Sequence, residues 1–399
     1  MSAFSLDPVQ IAWCATLRTL AAERLRPLAE KGEPGRVNRP LLAALGELGL
    51  LKRLFSDGGA LDLCLLRESL AHGCTEAETA LALQGLGTYP LVQAGTAAQR
   101  ERWLPEVIAG RAVAAFALSE PDAGSDAAAL ALEAAPDTGT SAGTGGSTTT
   151  GAGGTGWRLT GEKRWISNAP EADFYTVFAR TGERPGARGV TAFLVPADRP
   201  GLTGSALEML SPHPIGALTF DGVPVTRDDV IGEPGGGFRV AMTTLNLFRP
   251  SVGAFALGMA QAALDATLTH TTERVAFGGR LKDLQAVSHR AAEMATRTEA
   301  ARLLVYAAAA AYDSGAADVP QRSAMAKLFA TETAQYVVDT AVQLHGARAL
   351  QRGHLLEHLY REVRAPRIYE GASEVQLSII AKELYASAQQ GRTPTPDES

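Results

Sequence analysis

The 399-residue chain has little of what would mark several kinds of protein. Its three cysteines, Cys14, Cys64 and Cys74, are odd in number and form no CxxC pair, so they read as reduced core thiols rather than a disulfide framework. The seven histidines lack metal-ligand spacing, and no metal site is expected. Positive charge is in deficit: 37 Lys and Arg against 43 Asp and Glu leave a net charge of -6, which argues against nucleic acid as a partner and supports no membrane-binding patch. Nowhere do eighteen apolar residues run uninterrupted, and the start, MSAFSLDPVQIAW, has no basic region followed by an apolar run. Neither a membrane span nor secretion is expected, and the localisation read from this is cytoplasmic. No GxGxxG lies between a strand and a helix, which removes a doubly wound dinucleotide-binding sheet. What remains, at 46% hydrophobic and 20% charged residues, is a globular protein with small-molecule business.

What is present is a change of period along the chain. Residues 7 to 112 carry apolar side chains at three- and four-residue spacing, in runs such as VQIAWCATLRTLAAERLRPLAE and LDLCLLRESLAHG. From Ala112 the runs become short and β-rich (AVAAFALS, WRLTGEKRWISNA, FYTVFART, GVTAFLVPAD, GALTFDGVPV), separated by turn signals such as PDAG and FDG. After EPGGGF at 233 to 238 the helical period returns in four long alanine-rich segments suited to close packing. The expected fold class is α+β, mainly α: an N-terminal helical domain over 1–112, a middle antiparallel β domain over 113–235, a C-terminal four-helix bundle over 236–390 and a disordered tail over 391–399. A Gly/Ser/Thr/Ala stretch at 138–156 cannot bury enough apolar surface to offset its chain entropy and is expected to be a flexible hairpin tip without function.

Five stretches could carry chemistry, and each has a plain alternative. ALSEPDAGSD ends a strand in a turn that lets a ligand approach the backbone, yet a solvated, capped turn explains it as well. KRWISNA sets Trp165 beside Ser167, a wall for an aromatic ligand or a half-buried core strand. In TTERVAFGGRLKDLQ, Arg274 could grip a diphosphate or merely end a helix. In VQLHGARAL, Gly346 needs no more than a helix C-cap. Finally, RIYEGASEVQ places Glu370 three residues before Ser373, where Ser373 and Gln376 fit an S-x-x-Q capping box that starts the last helix. A helix N-terminus favours a charged acid, whereas a base for a carbon-bound proton needs the raised pKa of a dry site, and local sequence does not choose between them.

Taken together and in this order, SEPDAGSD, KRWISNA, ERVAFG with Gln285 eleven positions after Arg274, QLHG and RIYEGASEVQ resemble the acyl-CoA dehydrogenase family over nearly the whole chain. The resemblance implies a non-covalent FAD enzyme, usually a homotetramer, that turns an acyl-CoA into a trans-2-enoyl thioester and passes electrons to an electron-transferring flavoprotein. By motif, Glu370 matches the glutamate that takes the α-proton while flavin N5 takes the β-hydride. Relatives with their base near the arginine matched by Arg249 are not the pattern here, because LNLFRPS holds no acid. Phe116, Leu118 and Ser119 resemble the strand that hydrogen-bonds the flavin, and Trp165, Ile166 and Ser167 the wall beside N5. Arg274, Phe277 and Gln285, with Gln343, Leu344, His345, Gly346 and Ala347, resemble the FAD contacts donated by a neighbouring subunit, and Ala372, Ser373 and Glu374 stand at further cofactor positions. Ser125, Asn246, Arg249, Tyr369 and Gly371 match substrate contacts.

Departures from the pattern are Ala372 for a threonine, Ala347 for the second glycine of HGG, Ala276 for a polar residue, Asn246 for an acid and a shortened MLSPHPIGALTF. The last two leave an acyl carrier protein thioester open beside CoA. An oxygen-using flavoenzyme of the same fold is a second enzyme reading, and a catalytically idle binding protein is the reading from another class.

Overall fold

The computed structural model describes residues 6–55, 58–137, 156–182 and 186–389. The 138–156 stretch, Gly156 excepted, and the tail at 391–399 lie outside them. The helices are α1 (Pro8–Leu20), α2 (Arg39–Glu47), α3 (Leu50–Leu54), α4 (Gly59–Gly73), α5 (Thr75–Ala94) and α6 (Ala97–Ile108), then, after the strands, α7 (Gly237–Glu273), α8 (Gln285–Asp313), α9 (Val319–His345), α10 (Leu355–Glu362) and α11 (Ser373–Gln389). Two of the starts are written in the sequence as capping boxes, Asp7 with Gln10 before α1 and Thr96 with Gln99 before α6.

The strands are β1 (Ala114–Ala117), β2 (Glu133–Pro136), β3 (Gly156–Ser167), β4 (Phe174–Arg180), β5 (Val190–Pro196), β6 (Leu202–Ala206), β7 (Ile215–Thr226) and β8 (Val230–Ile231), with a small ribbon of β9 (Val275–Ala276) and β10 (Gly279–Arg280). They form one sheet in the order β6-β7-β3-β2-β4-β5-β8, with β1 also on β4. The pairs are antiparallel except β1–β4 and the single β2–β4 bridge, which are parallel. Burial explains the order: FYTVFAR and VTAFLVP are buried almost end to end, as inner strands must be, while LTGSA of β6 is largely exposed at the edge.

Two compact units result. Unit 1 comprises Met1–Glu30, Ser56–Glu78 and Leu245–Ser399, and unit 2 comprises Lys31–Phe55 and Thr79–Thr244. The core of unit 1 is an alanine-lined bundle in which Ala256, Ala260 and Ala263 of α7 pack with Ala334, Val337 and Ala341 of α9. At Gly258 a Cβ would fall 2.4 Å from the Glu68 carbonyl carbon's oxygen, so α4 and α7 cross in direct backbone contact. α7 is, among the described residues, the one helix long and apolar enough to cross a membrane, but 72% of its apolar window is buried inside the protein, as in a core helix. In unit 2, α2, α5 and α6 pack beside the sheet through polar pins such as Gln84, whose amide donates to Ala112 O and accepts from Ala114 N.

Candidate active site

Glu370 sits in unit 1 on the loop before α11, in the left-handed region at φ 52, followed by Gly371 at φ 100. A non-glycine residue there is strained and persists only where surrounding contacts over-determine it. Those contacts are donors aimed at two consecutive carbonyls. Arg249 Nε and Gln376 Nε2 each donate to Glu370 O at 3.3 Å, and Gln376 Nε2 also donates to Gly371 O at 3.0 Å. Lys327 Nζ donates to Gly371 O at 2.6 Å. With its backbone fixed, the Glu370 side chain is left with Oε2 buried and without a hydrogen-bond partner.

The arginine on that turn is itself held. Arg249 lies on α7, one residue before Pro250, and its Nη1 donates to Asn246 Oδ1 at 3.1 Å. Pro250 has no N–H for the Asn246 carbonyl, which the Ser323 hydroxyl of α9 meets instead at 3.5 Å. Next along, Ser251 Oγ accepts from Arg67 Nη1 at 2.6 Å, and Arg67 Nε is paired with Glu78, a contact in which both residues are buried. Three cations thus act on Glu370. Burial pushes its carboxyl above the ordinary carboxylate value, opposed by Arg67 first, then Lys327 and Arg249. Burial also brings the Lys327 ammonium down to about 8, opposed chiefly by Glu370.

In unit 2 the stretches SEP and KRWIS are stitched side by side. Arg164 N donates to Ser119 O at 3.0 Å, Lys163 Nζ to Leu118 O at 2.9 Å, and Asn168 Nδ2 to Ala114 O at 2.8 Å. Trp165 is left-handed at φ 57 and 46% exposed, an aromatic face held out of a strand. The half-buried Ser119 and Ser167 and the half-buried Phe116 ring complete a surface with one planar wall and hydroxyl donors. Ile166 is buried, and its carbonyl accepts from Ala169 N at 3.2 Å. Ser125 is exposed on the loop beyond Glu120.

Profiles of the acyl-CoA dehydrogenase N-terminal, middle and C-terminal domains match residues 7–111, 115–223 and 235–385. The chain belongs to the acyl-CoA dehydrogenase family. It is 34% identical, over 94% of its length and 96% of the relative's, to cyclohexane-1-carbonyl-CoA dehydrogenase of Geobacter metallireducens. It is 35% identical to the mitochondrial short-chain specific acyl-CoA dehydrogenase of Bos taurus, over 93% of this chain and 89% of that one. The structure of butyryl-CoA dehydrogenase from Megasphaera elsdenii matches with a TM-score of 0.85 and 31% identity, covering 96% of this chain and 99% of that one. Membership makes this chain an oxidoreductase of the FAD-dependent acyl-CoA dehydrogenase class, in a family of flavoproteins.

Within that family frame the unit 1 geometry corrects one expectation. Ser373 and Gln376 do begin α11, but no capping box closes there: Ser373 Oγ donates to Glu332 Oε1 at 2.6 Å, and Gln376 turns its amide to the Glu370 and Gly371 carbonyls. Asn246, expected among the substrate contacts, accepts from Arg249 Nη1 through its amide oxygen at 3.1 Å. The remaining candidates of unit 1 differ in exposure. Arg274, Phe277, Gln285, Gln343, Gly346 and Ala347 are exposed, Leu344 and His345 half-buried, and Phe277 stands 90% exposed at a left-handed φ of 54. Ala372 and Ser373 are half-buried, while Tyr369 and Glu374 are exposed. In the sequence Arg67 and Lys327 show only as a charge inside an apolar helical run, LLRES and AMAKLFA, and Glu78 only as one of two acids in TEAETALAL.

Proposed function

We propose that this chain oxidises a short or alicyclic acyl-CoA to its trans-2-enoyl-CoA, with Glu370 as the base that removes the α-proton. The observation that carries the reading is the Glu370 carboxylate: its Oε2 is buried and unpartnered, on a turn whose carbonyls are tied down by Arg249, Gln376 and Lys327. FAD, when bound, supplies the acceptor for the hydride that leaves Cβ. The exposed Trp165 face and the Ser119 and Ser167 hydroxyls suit a flavin ring, which is the fit expected of its holder.

The α-proton of a thioester is weakly acidic, so the base must be strong and the carbonyl polarised. Burial raises the basicity of Glu370, while Arg67, Lys327 and Arg249 keep it from being neutralised outright. The Glu370 N–H, with no acceptor among the described residues, serves the thioester oxygen as negative charge develops on it. Fixing φ 52 and φ 100 orients the carboxylate before substrate arrives, an advantage of position rather than of strength.

The short or alicyclic acyl group follows the substrates named for the relatives. The same reading assigns Ser125, Arg249 and Gly371 to the thioester arm and a homo-oligomer, a tetramer by family, in which Arg274, Phe277, Gln285 and residues 343–347 reach a neighbour's FAD. The exposed Phe277 supports it, since a left-handed aromatic with nothing of its own chain upon it is strain without a local return. Electrons pass on to an electron-transferring flavoprotein, in the cytoplasm.

The test is anaerobic mixing of the FAD-loaded protein with butanoyl-, isobutanoyl-, octanoyl- and cyclohexane-1-carbonyl-CoA while the flavin absorbance is followed. Bleaching by a short or cyclic member is expected, and no bleaching by any member overturns the substrate class. Glu370→Gln should keep FAD and bind acyl-CoA while flavin reduction falls by about three orders of magnitude. Wild-type rates in that variant would remove Glu370 from the role.

A further inference from the structure

Two side chains on one helix hold the loop that carries the base. From α9, Glu332 accepts from Arg367 Nε at 2.9 Å and from Ser373 Oγ at 2.6 Å, so it grips the loop on both sides of Glu370. One turn earlier Lys327, fully buried, reaches between those grips to the Gly371 carbonyl, immediately after the base. Among the described residues Lys327 has no ion-pair partner, and its one hydrogen bond goes to a neutral backbone oxygen. An unpaired ammonium in a core costs several kcal/mol by general estimate, and a glutamine of similar length would donate the same bond.

We propose that Lys327 is a positioning residue of the reaction: its ammonium locks the Glu370–Gly371 turn through the Gly371 carbonyl, and its charge sets the protonation of Glu370. The proposal rests on the reading of Glu370 as the base. Around Lys327 the charged groups are Glu370, Arg249, Glu332 and Glu374, and Arg67, itself paired with Glu78, acts on Glu370 from α4. The groups that act directly on Glu370 are the three cations Arg67, Lys327 and Arg249, and they suit a base that must be ionised before turnover yet is desolvated. Since burial brings Lys327 to about 8, the charge is largely present at neutral pH and fades as pH rises through that value.

The test compares Lys327→Gln, Lys327→Met and Lys327→Arg with wild type in FAD-loaded enzyme, using the member of the acyl-CoA panel that bleaches wild type fastest. The limiting rate of flavin reduction is measured from pH 6 to about 10, with FAD content and thermal midpoint recorded for each variant. Glutamine keeps the hydrogen bond without the charge. It should move the acid limb of the profile, set by Glu370, to higher pH and abolish the inflection near 8. Methionine loses both and should lower the limiting rate at least tenfold with KM changed less than threefold, and arginine should restore the acid limb toward wild type. An unmoved acid limb in Lys327→Gln with a wild-type rate in Lys327→Met overturns the proposal. Loss of FAD or thermal midpoint in all three variants, with the profile of the remaining holoenzyme unmoved, also overturns it and leaves Lys327 a structural residue. Glu370→Gln, run alongside, separates the readings: if it reduces flavin normally the base assignment fails, and if it is dead while the Lys327 variants match wild type, only this proposal fails.

Discussion

Two lysines in this chain share nearly every local property and differ in one. Lys163 in unit 2 and Lys327 in unit 1 are both fully buried, both brought to about 8 by burial, and both donors to a backbone carbonyl, Leu118 O at 2.9 Å and Gly371 O at 2.6 Å. Lys163 also pairs with Glu120 at 2.7 Å, and Glu120 in turn accepts from Ala131 N at 2.6 Å and Leu132 N at 2.9 Å, so every charge there is answered. Among the described residues Lys327 has no ion-pair partner, and the Coulombic neighbour that acts on it most is Glu370, whose own Oε2 is unpartnered. One lysine closes a network that fixes a strand edge. The other leaves a charge open toward Glu370, the proposed base.

The sharpest way to break that comparison is to remove each lysine and ask what is lost. Lys163→Met leaves Glu120 buried without its cation and should cost about 3–5 kcal/mol of stability, read from urea midpoints at constant m, with the paired change Lys163→Met/Glu120→Gln, which removes the charge and keeps an acceptor for the Ala131 and Leu132 N–H groups, recovering part of it. Lys327→Met should cost under about 1 kcal/mol, because the lost hydrogen bond at Gly371 O is shared with Gln376 and a lone buried charge is removed. Equal losses at the two sites would show that they are one kind of residue.

A second pair, smaller in effect, uses glycines. At Gly110, φ +70, an added Cβ would fall 2.2 Å from Leu42 O, a backbone atom of α2 that cannot give way locally. At Gly371, φ +100, the same atom would fall 2.2 Å from Gln376 Nε2, the tip of a side chain that can swing. Gly110→Ala should therefore cost about 2–3 kcal/mol in unfolding, and Gly371→Ala nearer 1. Flavin reduction should sort them in reverse, falling at least tenfold in Gly371→Ala because Gln376 lets go of the base turn, and staying near wild type in Gly110→Ala. A slow, unstable Gly110→Ala beside a normal Gly371→Ala would erase the distinction.

The sequence made the succession of helices, strands and helices readable, because a change from a 3.6- to a 2-residue period needs no partner to be seen. It did not make the packing readable. Residues 7–112 are divided between the two units, and β1 pairs with β4 in parallel, choices made by contacts far along the chain. Among the candidates, Glu370 and Arg249 in unit 1 and Trp165 in unit 2 were legible because they sit in ordered motifs. Arg67 was not, since its partner Ser251 lies 184 positions away and a charged residue in LDLCLLRESLAHG reads as a helix surface until the fold buries it. Lys327 hid in the same way inside AMAKLFA. Gln376 was noticed for a reason the fold did not use, because a capping box and a clamp on two carbonyls demand the same residue at the same spacing.

The smallest expected effect tests whether the open charge in unit 1 is carried at a cost to the fold. Burial raises the Glu370 carboxyl in the folded chain above its ordinary value near 4.5, so between that value and the folded one the native state holds a proton that the unfolded chain has released. Stability therefore falls as pH rises through this window and stays reduced above it. Glutamine has the same shape and no charge, so Glu370→Gln should be as stable as wild type near pH 4.5 and more stable by about 1 kcal/mol at pH 8, read as a difference in urea midpoints at the two pH values. The opposite slope would mean that Arg67, Lys327 and Arg249 together outweigh burial, and that Glu370 is a paired acid of the same kind as Glu120.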